Sequence, residues 1–179
     1  MDTIVIALAG PIGSGKSTLS FAIAEELGLP RASFGDYVRS VARQRGLTEN
    51  RETLQLVGFE LMRNGWRPFC EAVLSQTGWK KGEGVVVDGI RHSGVIETLH
   101  QMTAPSKFIL VFVSIAERER QIRLVQKGIR DEEERTKIES HPTEVQVKLL
   151  ESKADLILDG TRPPSELVEQ IMEYLNTNL

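Results

Sequence analysis

A glycine-rich segment near the N-terminus has the residue types and the spacing that bind phosphate. Residues 10–18 run Gly-Pro-Ile-Gly-Ser-Gly-Lys-Ser-Thr and match G-x-x-x-x-G-K-[ST]. Glycines let the backbone turn so that several N–H groups point at one phosphate, and the next helix adds its positive end. Lys16 can reach the β- and γ-phosphates of a nucleotide, and the Ser17 hydroxyl suits Mg²⁺. The candidate phosphate-binding residues are Gly10, Gly13, Ser14, Gly15, Lys16, Ser17 and Thr18.

A carboxylate and an arginine follow a short apolar run farther along the chain. Asp88 comes directly after Val85–Val87, and Arg91 comes three residues later. In open α/β sheets, ligands bind at the carboxyl ends of the strands. Asp88 could hold Mg²⁺ through water, and the planar guanidinium of Arg91 suits a phosphate. The simpler alternatives are that Asp88 caps the next turn and that Arg91 is an ordinary surface residue.

The elements that must position these residues alternate between short apolar runs and longer amphipathic segments. Apolar runs at 3–8, 85–87 and 108–113 predict parallel strands covered on both faces, with weaker candidates at 32–34 and 155–158. Helices are predicted at 16–27, 36–45, 67–76, 93–101, 117–127, 143–152 and 165–175, with another after the capping segment 48–52. This β–α alternation predicts one domain, 1–179, with a three-layer α/β/α fold.

Composition excludes several classes of protein. The chain has 179 residues, of which 40% are apolar and 26% charged, and its net charge is −3. Because Cys70 is the only cysteine, an internal disulfide and a cysteine-rich zinc domain are excluded. The N-terminus lacks the basic region of a signal peptide, and the longest apolar stretch is too short to span a bilayer. We expect a cytoplasmic protein that binds neither a nucleic acid polymer nor a membrane; its oligomeric state is left open.

Taken in order, these segments resemble the phosphate-loop nucleotide kinases, which phosphorylate small molecules. Residues 33–39, Ser-Phe-Gly-Asp-Tyr-Val-Arg, look like the segment after the second strand of adenylate kinases, and Asp88-Gly89-Ile90-Arg91 is similar to a stretch of the same enzymes, shortened by one residue. Residues 51–58, Arg-Glu-Thr-Leu-Gln-Leu-Val-Gly, resemble phage-type deoxynucleoside monophosphate kinases. Residues 120–175 look most like dephospho-coenzyme A kinase.

The resemblance implies a P-loop NTPase fold with a parallel five-stranded sheet, and ATP and Mg²⁺ as cofactors. It also implies a helical acceptor-binding insertion at 36–77 and a short lid at 128–141. The implied acceptor-binding residues are Arg39, Arg51, Gln55 and Arg91, and the implied catalytic residues are Lys16, Asp36, Arg91 and Arg123. Two positions depart from the family. Lys127 replaces a second lid arginine, for which Arg130 is the candidate substitute, and Asp159 stands where asparagine is common.

Asp36 distinguishes between two kinds of acceptor. Beside a hydroxyl, as on dephospho-coenzyme A, its carboxylate would take the proton as a general base. The phosphate oxygen of a nucleoside monophosphate is already anionic and needs no base. Asp36 also lies where a helix N-cap is expected.

The leading hypothesis is ATP-dependent transfer to a nucleoside or deoxynucleoside monophosphate. The alternatives are a dephospho-coenzyme A kinase and a nucleotide-dependent switch that acts through a protein partner.

Overall fold

The computed structural model describes residues 3–179 and contains one five-stranded parallel sheet. The strands are β1 (Ile4–Ala9), β2 (Arg31–Ser33), β3 (Val85–Ile90), β4 (Lys107–Ser114) and β5 (Leu156–Asp159). Their order across the sheet is β2-β3-β1-β4-β5. β1 lies in the centre, where Leu8 is opposite Asp88 on β3 and Val111 on β4. The predicted strand 32–34 extends one residue too far, because Phe34 already begins a helix.

Helices occupy the connections between the strands. Those in the described part of the chain are α1 (Lys16–Leu27), α2 (Phe34–Gln44), α3 (Arg51–Arg63), α4 (Trp66–Ser75), α5 (Ser93–Thr103), α6 (Glu117–Gln126), α7 (Glu132–Ser140), α8 (Pro142–Leu149) and α9 (Pro164–Asn178). A 3₁₀ turn at Glu151–Lys153 follows α8. None of these helices is long and apolar enough to cross a membrane.

Alternate side chains of the central strand enter two separate cores. Val5 and Ala7 of β1 pack with the first core, to which α2, α3, α4, α5 and α8 contribute. Ile6 and Leu8 pack with the second core, to which α1 and α9 contribute. Successive strand residues point to opposite faces, so a continuous apolar run means that both faces are covered. The three-layer α/β/α fold with a parallel five-stranded sheet is therefore confirmed.

Two helical segments lie beside the carboxyl edge of the sheet. Between β2 and β3 the chain forms only α2, α3 and α4, and the rings of Phe34 and Phe69 pack edge to face at 5.0 Å to join α2 to α4. Residues 128–141 contain α7, which begins after Asp131, whose side chain accepts a hydrogen bond from the Glu133 N–H. The second segment is tied to α6, because Arg120 on α6 forms a salt bridge with Glu139 on α7.

Candidate functional site

The glycine-rich loop joins the central strand to α1. Gly13 and Gly15 have φ angles of 86° and 91°, in the left-handed region that residues with a Cβ rarely adopt. α1 begins at Lys16, so its first N–H groups face the loop. Ser17 and Thr18 are exposed in that first turn. The backbone therefore has the shape that the phosphate-binding motif requires.

Lys16 is a buried cation inside this loop. Its Nζ lies 3.3 Å from the Pro11 carbonyl oxygen, to which it donates a hydrogen bond across the loop. Burial, helped by the positive charge of Arg91, lowers the pKa of Lys16 from 10.5 to about 8. Asp88 and Glu144 act in the opposite direction. The lysine is thus held in place by a single weak contact and is available to an incoming anion.

Asp88 lies at the end of β3, beside the loop. Its Oδ2 accepts a hydrogen bond of 2.6 Å from Arg31 Nη2. Its Oδ1 is buried and has no hydrogen-bond partner among residues 3–179, which is costly unless a further polar group supplies one. This oxygen and the exposed Ser17 hydroxyl are the kind of donors that Mg²⁺ prefers, and Mg²⁺ usually takes its remaining ligands from water and substrate phosphates. The Asp88 carboxylate and the Ser17 hydroxyl therefore fit Mg²⁺. Asp88 does not cap the turn after β3, because Oδ2 bonds Arg31 and Oδ1 has no partner among residues 3–179.

Arg31, which the sequence analysis did not single out, connects three elements of the site. It donates to Asp88 and also, through Nε, to Ser20 Oγ on α1 at 2.6 Å. Its guanidinium carbon lies 3.9 Å from the ring centroid of Phe21. No motif marks this arginine, because its role depends on strand β2 lying next to β3.

Asp36 is not the N-cap of α2, contrary to one expectation. Ser33 is the cap, because its Oγ accepts the hydrogen bond of the Asp36 N–H. The Asp36 carboxylate is half-exposed and contacts two arginines, Arg31 at 2.9 Å and Arg39 at 2.9 Å. Burial alone would raise the pKa of Asp36, but the hydrogen bond and charge of Arg31, with the charge of Arg39, hold it below its usual value.

Arg91 contacts a glutamate that the sequence analysis also missed. Its Nη1 donates to Glu144 Oε1 at 2.5 Å, and Glu144 Oε2 accepts from the Ile12 N–H of the glycine-rich loop at 3.4 Å. Only 3% of Glu144 is exposed. In the sequence Glu144 looks like an ordinary acid in the first turn of a helix, so only the packing of α8 against the loop identifies it.

Arg51 and Gln55 lie together on α3 and face α7. They line a cavity of about 430 Å³ with Asn50, Glu52, Glu134, Lys137 and Ile138. Nε of Arg51 is buried and has no hydrogen-bond partner in the described chain. Burial lowers the pKa of Arg51. The negative charge of Glu144 raises this pKa, and the positive charge of Arg91 lowers it.

The arginines of α6 fix the helix to the loop and to α7. Arg123 Nη1 lies 3.4 Å from the Gly13 carbonyl oxygen and 3.3 Å from that of Ser14. The buried Arg120 bonds Glu117 on its own helix and, at 2.7 Å, Glu139 on α7. Lys127 is exposed, as is Arg130, whose side chain makes no polar contact with the described residues. The structure thus brings Arg123 to the loop and gives no support to Arg130 as a substitute.

The strand, glycine-rich loop and helix at the centre of this parallel sheet, with Lys16 and Asp88 at one edge, define a P-loop protein of the kinase-like type. A family model described as an AAA domain matches residues 9–140, and the chain belongs to that family. The predicted relationship to P-loop kinases is confirmed.

Archaeal relatives extend this assignment. A UPF0200 protein of Pyrobaculum aerophilum is 33% identical over 128 residues, which cover 72% of this chain and 68% of that protein. A UPF0200 protein of Methanothrix thermoacetophila is 34% identical over 66% of this chain and 64% of its own length, so the matches span about two thirds of these relatives. A cytidylate kinase of Natronomonas pharaonis is 49% identical, but over only 45 residues, or 25% of this chain and 23% of the kinase.

Solved structures share the fold. Shikimate kinase from Aquifex aeolicus aligns with a TM-score of 0.59 and 22% identity over 97% of each chain. The protein TT1252 from Thermus thermophilus aligns with a TM-score of 0.66 and 16% identity, covering 100% of this chain and 99% of that one. At these identities the likeness concerns the architecture alone.

Proposed function

We propose that the protein is an ATP- and Mg²⁺-dependent kinase whose acceptor is a nucleoside or deoxynucleoside monophosphate. The observation that carries this proposal is the environment of Asp36. A general base works best with a pKa near the operating pH, whereas two arginines lower the pKa of Asp36 and occupy both of its oxygens. Such a carboxylate is a poor base for a hydroxyl. A phosphate acceptor needs none.

The positive charges around the insertion support an anionic acceptor. Arg39, Arg51 and Arg91 extend from α2, α3 and the end of β3, and Arg51 lines the cavity between α3 and α7. We assign these three arginines to the acceptor, with Gln55 placed to contact its base. The segment 36–77 would then be the acceptor-binding region and 128–141 the lid. The relative named cytidylate kinase is consistent with this class.

The remaining residues would serve the nucleotide. The loop N–H groups and Lys16 would bind its phosphates, and Arg123, already at the loop carbonyls, would neutralise charge on the phosphoryl group in flight. Bound Mg·ATP would supply that phosphoryl group and part of the charge neutralisation. Ser17 would hold Mg²⁺ directly and Asp88 through water, with Arg31 fixing the Asp88 carboxylate. We expect small nucleotides as the only substrates and a cytoplasmic location.

A hydroxyl acceptor such as dephospho-coenzyme A is the second candidate. The fold is shared with shikimate kinases, and Asp36 would act as the base if it were released from one of its arginines. A nucleotide-dependent switch is the third, and it would hydrolyse ATP slowly without stimulation by any acceptor.

The first experiment measures ADP release from Mg·ATP in the presence of each ribo- and deoxynucleoside monophosphate and of dephospho-coenzyme A. We expect strong stimulation by a monophosphate. Asp36→Asn should then lower kcat by less than about tenfold and leave the pH–rate profile between pH 6 and 8 unchanged, because the reaction uses no base. Glu26→Gln, on the exposed side of α1, is the matched control. Stimulation by dephospho-coenzyme A alone, with a loss of about 10²-fold or more in Asp36→Asn, would refute the proposal.

A further inference from the structure

The buried carboxylate of Glu144 contacts two parts of the site, and the proposed kinase reaction does not yet use it. One oxygen accepts from Arg91 at 2.5 Å, and the other accepts from the Ile12 N–H at 3.4 Å. The same group therefore joins an acceptor-side arginine to the phosphate-binding loop. From this geometry we propose that Glu144 is the positioning residue for Arg91, and that it sets where Arg91 holds the anionic group of the acceptor relative to the loop. This inference rests on the proposed kinase function.

The local structure of α8 explains how a carboxylate is kept at this place. Pro142 is the first residue of the helix, and the His141 side chain caps it by accepting from the Thr143 N–H. Glu144 lies in that first turn, where the helix dipole favours a negative charge. Its own N–H donates to the His141 carbonyl oxygen at 2.9 Å. Both the position and the charge of the side chain are therefore supported by the helix.

Two arrangements are conceivable, and the burial of Glu144 decides between them. If the acceptor displaced Glu144 from Arg91, a carboxylate that is only 3% exposed would keep a single long contact to Ile12, which is costly. The Arg91 side chain is 33% exposed, and only one of its five N–H donors, on Nη1, is bonded within the described chain. The acceptor can therefore use the remaining donors while Glu144 stays in place. Glu144 orients Arg91 and does not compete for it.

The test is a double-mutant cycle between Glu144 and Arg91. Initial rates are measured with whichever of CMP, UMP, AMP, GMP or dTMP the wild-type protein uses fastest. The acceptor is varied at saturating Mg·ATP, and Mg·ATP is varied at saturating acceptor. Glu144→Gln keeps the shape but removes the charge. We expect it to raise the KM for the acceptor about tenfold, with kcat and the KM for ATP changed by less than about threefold. In an Arg91→Ala background the same change should alter the acceptor KM by less than about twofold, because no arginine remains to be oriented.

Two further variants separate positioning from folding. Glu144→Asp retains the buried charge beside Arg91 but shortens the side chain by one methylene, so it should fold and should show a smaller increase in acceptor KM. It replaces Glu144→Gln in the cycle if that variant does not fold. Glu151→Gln, an exposed carboxylate in the 3₁₀ turn after α8, is the control and should match the wild type.

The possible failures are distinguishable. A lower acceptor KM in Glu144→Gln would mean that Glu144 competes with the acceptor, and an equal effect with and without Arg91 would mean a merely structural role. Either result, with a wild-type protein that monophosphates stimulate, overturns this inference alone. A wild-type protein that no monophosphate stimulates overturns the proposed function, and this inference with it.

Discussion

Lys16 is a single residue of the site whose buried charge lowers the stability of the folded protein. The ammonium group is buried, and among residues 3–179 only the Pro11 carbonyl oxygen is its hydrogen-bond partner. Its pKa falls from 10.5 to about 8 because of burial and the nearby Arg91, which corresponds to about 3 kcal/mol of unfavourable free energy for the charged form. A charge is kept here at a cost to the fold because a bound phosphate would compensate it.

Replacing this lysine should separate stability from activity. We expect Lys16→Met to abolish phosphoryl transfer and to raise the free energy of unfolding at pH 7 by about 1–3 kcal/mol. Between pH 8 and 10.5 the folded wild-type protein loses the Lys16 proton while the unfolded chain keeps it. Through this group, the free energy of unfolding of the wild type rises with pH. The difference in free energy of unfolding between the variant and the wild type therefore becomes smaller. Denaturant titrations at pH 7 and 10 measure this, with the exposed Lys81→Met as control. An equal difference at both pH values would show that Lys16 carries no burial cost.

At the scale of elements, the turn after β5 packs closely against the backbone of the phosphate-binding loop. The Gly160 N–H donates to the Ser114 carbonyl oxygen at 2.7 Å. A Cβ at Gly160 would lie 2.3 Å from the Ser14 carbonyl oxygen and 2.8 Å from that of Ser114. Both atoms belong to the backbone and cannot move aside like a side chain. The loop, the end of β4 and this turn therefore fit together only if residue 160 has no side chain.

We expect Gly160→Ala to push the turn away from the loop. Nucleotide binding should weaken by about tenfold or more, and the free energy of unfolding should fall by about 1–3 kcal/mol because of the overpacking. The matched control is Gly58→Ala on α3, where the added Cβ would meet only Val38 Cγ2, at 3.8 Å. There alanine should be neutral or stabilising by up to about 1 kcal/mol. Calorimetric titration with ADP and thermal unfolding measure both effects. Equal behaviour of the two variants would contradict this account of the loop.

At the scale of the whole molecule, the site is assembled from distant parts of the chain. Arg123 on α6 contacts the loop, Arg120 on the same helix contacts Glu139 on α7, and Glu144 on α8 returns to the loop. A bound nucleotide that engages the loop therefore stabilises elements well beyond it. Because the ligand binds the folded state alone, its effect extends to global unfolding.

Thermal unfolding tests this linkage without relying on turnover. A non-hydrolysable ATP analogue with Mg²⁺, at about 100 times its Kd, should add about 2.7 kcal/mol to the free energy of unfolding. For a chain of this size, that corresponds to a rise in Tm of about 5–10 °C. Lys16→Ala should bring the Tm increase close to zero at the same ligand concentration. An increase of the same size in Lys16→Ala would show that the analogue binds elsewhere.

The sequence by itself determined the features that depend on local pattern. Apolar runs predicted the covered parallel strands, and the glycines and Lys16 predicted the loop. The capping segment 48–52 and the periodicity after it predicted α3, whose observed cap is Asn50. Tertiary structure alone decided the partners of the charges. Ser33, not Asp36, caps α2. Arg31 bonds Asp88, which is 57 positions away along the chain, and Glu144 bonds Ile12, which is 132 positions away. Such contacts depend on which strands and helices become neighbours, and spacing along the chain does not contain that information.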